Sequence, residues 1–193
     1  MSETENRKSI IDISDIYLDT PRLLLRPWWE NDIQDFFAYA SVPGVGEMAG
    51  WPHHESIADT GRVLSMFMRE KNVWAIVLKA ENRVIGSLGL HRSWASEENY
   101  YPRERILEIG YVLSKAYWGL GLMPEAVKRV LRFCFDQLSL DAVTVGHFTD
   151  NPQSRRVIEK CGFSFVQTDR HYVDFCDADW EVKQYILWRE NMK

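Results

Sequence analysis

Two glycines and a glutamate carry the chemistry this chain can be expected to do. Gly119 and Gly121 lie in WGLGLMP, after the apolar run ILEIGYVL and before PEAVKRVLRFCFDQL. A glycine loop feeding a helix start gathers free backbone N–H groups at the positive end of the helix dipole, with no side chain in the way. Such a place suits a phosphate or pyrophosphate. The spacing is not that of a P-loop, because no Lys-Ser or Lys-Thr follows the glycines, and Pro124 stands where the Rossmann fingerprint requires a third glycine. Asp141 lies near the ribose-binding distance but precedes the next strand instead of ending it.

Glu108 sits within the apolar run, flanked by Leu107 and Ile109, and shares a strand face with Gly110 and Val112. A half-buried strand carboxylate has a raised pKa, or a bound water and a partner, and either suits it to removing a proton. The competing account is a strand-edge salt bridge, for which Arg105 and Arg92 are available. His91, at the end of the preceding apolar run, is the second candidate base against the plainer reading of an exposed loop histidine.

These residues need a strand, a loop and a helix to hold them. Residues 106–113 read as the strand, and Pro124 suits a first helical turn. Val127, Val130, Leu131, Cys134 and Leu138 then repeat at helical spacing, so the helix is amphipathic. Around this unit, strands are expected at 22–26, 73–78, 84–90, 142–147, 163–167 and 181–188, with a hairpin turn at Glu81-Asn82. Helices are expected at 28–39, 56–71 and 152–161. Residues 41–55 read as an irregular but unusually apolar loop, 91–105 as a surface loop, and 171–180 as the connection of the last two strands. Residues 1–19 read as a polar tail, leaving 20–193 as one domain. The order predicts an α/β (α+β) fold, with a mixed, largely antiparallel sheet of about six to seven strands and helices on both faces.

Trp118-Gly119-Leu120-Gly121-Leu122-Met123 resembles the [QR]-x-x-G-x-[GA] loop of the GNAT acetyltransferases, with Trp118 in place of Gln or Arg and Met123 in place of a small residue. Asn151-Pro152-Gln153-Ser154 followed by Glu159-Lys160-Cys161-Gly162-Phe163 resembles the family's second motif. The opening TPRLLLRP, from Thr20, resembles the first strand of the branch containing the ribosomal-protein N-terminal acetyltransferases. The resemblance implies a GNAT fold and transfer of an acetyl group from acetyl-CoA to a primary amine by direct attack in a ternary complex. It implies that the backbone N–H groups of Gly119, Leu120, Gly121, Leu122 and Met123 hold the pyrophosphate. It further places the Val112 and Leu113 N–H groups, freed where the strand splays from its neighbour, at the oxyanion, and Asn151 at the pantetheine arm. Where many relatives carry a tyrosine general acid this chain has Ile158, and in the ribosomal-protein branch a serine at the position of Ser154 is a proposed proton donor. An N-cap role explains Asn151 and a first-turn role Ser154 without chemistry. Trp118 and Ile158 favour the alternative of a GNAT fold that binds acyl-CoA as a sensor or interaction module and catalyses nothing; Glu108 and Ser154 weigh against it.

The chain's 193 residues can bury a core without staples, and a net charge of −5 gives no general basic face for nucleic acid. Three cysteines without C-x-x-C indicate neither a zinc site nor a disulfide framework. No apolar run approaches membrane-spanning length, and the opening residues are polar. The expectation is a cytoplasmic enzyme without metal, nucleic-acid or membrane partners, possible as a homodimer. Its amine acceptor is a protein N-terminus, a polyamine or an aminoglycoside. Asp174, Asp177 and Asp179 are acidic residues that attract such a cation by local potential, or that serve only solvation.

Overall fold

The alternation of β-branched, aromatic and glycine residues from Ile106 onward forms a strand over Ile106–Leu113, and everything that positions the site is referred to it. In a computed structural model, which describes residues 11–96 and 100–192, this is β5 of eight strands. The others are β1 (Leu18–Asp19), β2 (Leu23–Arg26), β3 (Val73–Leu78), β4 (Arg83–Arg92), β6 (Ala142–Phe148), β7 (Ser164–Val173) and β8 (Ala178–Trp188). Four α-helices are interleaved: α1 (Ile33–Ala40), α2 (Ile57–Glu70), α3 (Leu122–Asp136) and α4 (Pro152–Lys160). The strands form one sheet in the order β1-β2-β3-β4-β5-β6-β8-β7. Every neighbouring pair is antiparallel except β5 and β6, which are parallel.

Period-two alternation sends successive side chains of the sheet to opposite layers. On one face Trp74, Ile76, Leu88, Leu90, Ile109 and Val143 pack with Val127, Val130, Leu131 and Cys134 of α3 and Ile158 of α4. On the other, Val73, Ala75, Val77 and Val84 pack against Phe36, Tyr39 and Ala40 of α1 and Leu64 of α2. The helices on both faces are therefore as expected. Helix starts follow local chemistry: at α2, Ser56 and Asp59 form a reciprocal capping box, and at α4 the Asn151 side chain accepts from Ser154 N–H with Pro152 at the start.

The eighth strand lies within the expected tail. Residues 1–10 are outside the described residues, but Ile13 and Leu18 are 1% exposed and β1 pairs with β2, so within 11–19 these two side chains join the core and Leu18–Asp19 joins the sheet. Two residues of strand are too few for a periodic signal. The helix expected at 28–39 begins at Ile33, because Arg26 and the Trp29 N–H take the Asp32 carboxylate at 2.7–2.8 Å and hold 30–32 in a 3-10 turn. The helix after the glycine loop starts at Leu122, two residues before Pro124, which still lies in the first turn, where its missing N–H costs nothing. The connection expected at 171–180 is mostly strand: β7 and β8 run together to a tight end, with His171 opposite Trp180.

Candidate active site

β5 and β6 are in register only at Ile106, Leu107 and Glu108, opposite Ala142, Val143 and Thr144. Beyond Glu108 the β6 side of β5 carries no strand partner, and the sheet opens into a wedge. A cavity of ≈ 170 Å³ occupies the wedge. Val112 and Leu113 form its β5 wall, and Gly119, Gly121, Leu122 and Met123 its α3 side. Asn151 and Ser154 face it from α4, joined at its rim by Arg156 and Lys160. Val45, Met48 and Ala49 reach it from the loop between α1 and α2, which explains why that loop is so apolar.

The glycines are needed for conformation. Gly119 and Gly121 lie in the left-handed region at φ 80° and 72°, and a Cβ on Gly119 would meet nothing within 4 Å. The loop is braced from outside: Arg22 donates to the Leu120 carbonyl at 2.9 Å and pairs with Glu125 in the first turn of α3 at 2.7 Å. Glu125 also accepts from Thr20 and from the Arg22 backbone, which hold its carboxyl below the usual range and turn its charge away from the loop. Leu120 is 57% exposed and is not part of the cavity wall, so of the five loop residues expected at a phosphate it alone points its side chain outward. Trp118, in the place of Gln or Arg, lines the cavity. Its indole N–H donates to the Leu113 carbonyl at 2.8 Å, tying the loop to the end of β5.

Glu108 and His91, read from the sequence as alternatives, are cross-strand neighbours on the face that carries Gly110 and Val112. The His91 ring lies against the backbone of Gly89 and Gly110; a Cβ on Gly89 would fall 2.6 Å from its Nε2. His91 is exposed as a residue, yet loss of water on the packed side of the ring pushes its pKa below the ordinary value. Glu108 is half-buried, and burial pushes its carboxyl up to about 7. Thr144 Oγ1, opposite it on β6, donates to the carboxyl at 3.1 Å, partly offsetting that shift, and in turn bonds Ser93 at 2.7 Å. The salt bridge of the competing account is not formed among the described residues. Arg105 instead meets Asp141 through its backbone N–H and the Ser139 carbonyl through its guanidinium. Glu108 does not line the cavity; the side chain it meets is that of Thr144.

On α4, Asn151 uses both ends of its amide within the protein. Its oxygen accepts from Ser154 N–H at 3.0 Å, and its nitrogen donates to the Met48 carbonyl at 3.0 Å, binding the α1–α2 loop to the helix. The N-cap account of Asn151 is thereby realised. Ile158 is core, at 1% exposure. Ser154 Oγ lies 2.9 Å from the hydroxyl of Tyr111, a cavity residue that the sequence reading treated only as a strand aromatic. Burial holds the Tyr111 hydroxyl protonated well above the ordinary tyrosine range. Its position two residues after Ile109, on the face opposite Glu108, was a signal available from the alternation.

Among the described residues no group of three or more His, Cys, Asp or Glu side chains is placed to hold a metal ion, and no helix is long and apolar enough to cross a membrane. Comparisons with known proteins agree with the fold. The sequence model described as an acetyltransferase (GNAT) domain matches residues 22–164. The chain is 27% identical to the uncharacterized N-acetyltransferase YoaA of Bacillus subtilis over 175 residues, covering 88% of this chain and 95% of that protein. Its fold matches that of a GNAT-family acetyltransferase from Bacillus anthracis with a TM-score of 0.79 at 22% identity, covering 91% and 99% of the two chains. It also matches the microcin C7 self-immunity acetyltransferase MccE, a structure in complex with acetyl-CoA and AMP, with a TM-score of 0.71 at 15% identity over 88% and 93%.

Proposed function

This chain belongs to the GNAT acetyltransferase family, and from that premise we propose that it transfers the acetyl group of acetyl-CoA to a primary amine by direct attack in a ternary complex. The observation that carries the proposal is the wedge between β5 and β6, where one wall is a strand edge with no partner and the other two are the starts of α3 and α4. The glycine loop and first turn of α3 suit the pyrophosphate, and Arg156 and Lys160 add positive charge at the rim. With the thioester in the wedge, the Leu113 N–H, the one of the Val112 and Leu113 pair that does not point to β4, is the donor for the oxyanion that develops as the amine attacks.

Glu108 is the base. A carboxyl with a pKa near 7 is half ionised at neutral pH and matched to taking a proton from an ammonium or from the attacking amine. It stands four residues from Val112 along β5, roughly 13 Å at the strand rise, so its proton contact runs through water, with the His91 ring over Gly110 beside that path. Ser154 serves the departing sulfur as hydrogen donor, and Asn151, besides capping α4, has a second amide hydrogen to offer the pantetheine arm. A mass-spectrometric screen of acetyl-CoA with a pool of peptides, polyamines and aminoglycosides tests the reading. An acetylated amine that depends on the protein is expected; CoA binding with no acetylated product from any pool would favour a non-catalytic binding module.

A further inference from the structure

Ser154 is held by a partner from across the wedge. Tyr111 projects from β5 on the face opposite Glu108, and its hydroxyl lies 2.9 Å from Ser154 Oγ and 3.3 Å from the Ser154 carbonyl. A hydroxyl pair of this kind has one arrangement that leaves a hydrogen for a ligand. When Tyr111 donates to Ser154 Oγ, the serine keeps its own hydrogen, with the cavity as the direction left to it; when Tyr111 turns its one hydrogen to the Ser154 carbonyl, serine donates to tyrosine and its hydrogen is spent. A donor already accepting a hydrogen bond is polarised and gives a stronger one.

We propose that Tyr111 is a positioning residue that fixes Ser154 as a hydrogen-bond donor to the sulfur of CoA, replacing by a two-hydroxyl relay the single tyrosine that Ile158 displaces. The inference rests on the acetyltransferase reading. In the step, the amine lone pair forms the C–N bond and the C–S pair leaves on sulfur. The Ser154 hydrogen bond stabilises that thiolate, which takes its proton from solvent, while the amine proton passes to Glu108. Both hydroxyls stay whole, as suits a tyrosine that burial keeps protonated.

The thiol pKa of bound CoA, read from thiolate ultraviolet absorbance, separates this from a packing role. A hydrogen bond to a charged group is worth about one pKa unit or more, so Tyr111→Phe and Ser154→Ala should each raise the bound thiol pKa by about one unit. The double variant should do no more than the larger single one, because the two act as one unit. CoA affinity below that pKa should stay within about twofold and turnover should fall about tenfold, at ~1.4 kcal/mol per decade. If Tyr111→Phe is folded and matches wild type in bound thiol pKa and turnover, the proposal is wrong and the acetyltransferase reading stands. If Tyr111→Phe does not fold, a wild-type pKa in Ser154→Ala overturns the relay equally. Wild-type protein that neither binds CoA nor acetylates any amine overturns both.

Discussion

The two faces of β5 carry opposite solutions to the handling of a proton. On one, Glu108 is a charged group with too little water: burial raises its pKa to about 7 and the one hydroxyl beside it, Thr144, only partly compensates. On the other, Tyr111 and Ser154 are neutral hydroxyls satisfied by each other, and burial makes the tyrosine harder to ionise. Desolvation thus readies the carboxyl to accept a proton and the phenol to keep one. A strand's alternation puts the two groups on opposite sides of the sheet, and in the proposed mechanism the parting of β5 from β6 past Glu108 is what would bring both sides to one thioester.

Removing the accepting face should do the greatest damage. Glu108→Gln keeps the side-chain volume and the Thr144 contact but cannot take a proton, so turnover with any verified acceptor should fall by on the order of 10² to 10⁴ while acetyl-CoA affinity is unchanged. Steady-state rates and calorimetry check the two halves separately, and full activity would move the base to His91. Next comes the floor common to both faces. Gly121→Glu puts a carboxylate and a left-handed non-glycine residue where the pyrophosphate is proposed to lie, and CoA affinity should fall by well over tenfold, at ~1.4 kcal/mol per decade. Retained affinity in a folded variant would remove the glycine loop from the account.

The smallest expected effect is on the donating face. Ser154→Ala should lower stability by ~1 kcal/mol or less, because alanine suits the first turn of α4, Asn151 still caps it, and the Tyr111 hydroxyl keeps the Ser154 carbonyl. A thermal melt reads this directly. A large loss of stability would make Ser154 a structural member of the helix start, and the two faces would no longer be comparable.

How much of this was legible in the sequence follows the range of each interaction. β5, the glycine loop and α3 are contiguous, and their periodicities and breakers lie within one stretch, so the unit and Glu108 could be read before any fold was known. His91 was legible as a residue but not as the neighbour of Glu108, which depends on the β4–β5 register. Thr144 reaches Glu108 from β6 and is itself bonded by Ser93 from a third segment, and nothing local marks either hydroxyl. Tyr111 and Ser154 are 43 residues apart and meet only because α4 packs over the mouth of the wedge. Trp118 was legible only as a departure from Gln or Arg, because its tie to the Leu113 carbonyl is visible only once the loop turns back on the strand. β1 was illegible for a different reason: it is a strand by virtue of β2, and alone would have no structure to signal.

The central claim, that a desolvated Glu108 is the base, is tested most directly by the pH dependence of turnover at saturating acetyl-CoA. Its ionised form is the active one, so in wild type the rate should climb with pH through about 7, the value to which burial raises the carboxyl, and level off above it. In Glu108→Gln that limb should vanish, leaving a low rate that follows only the ionisation of the amine. A limb near pH 7 that survives unchanged in Glu108→Gln would contradict the account.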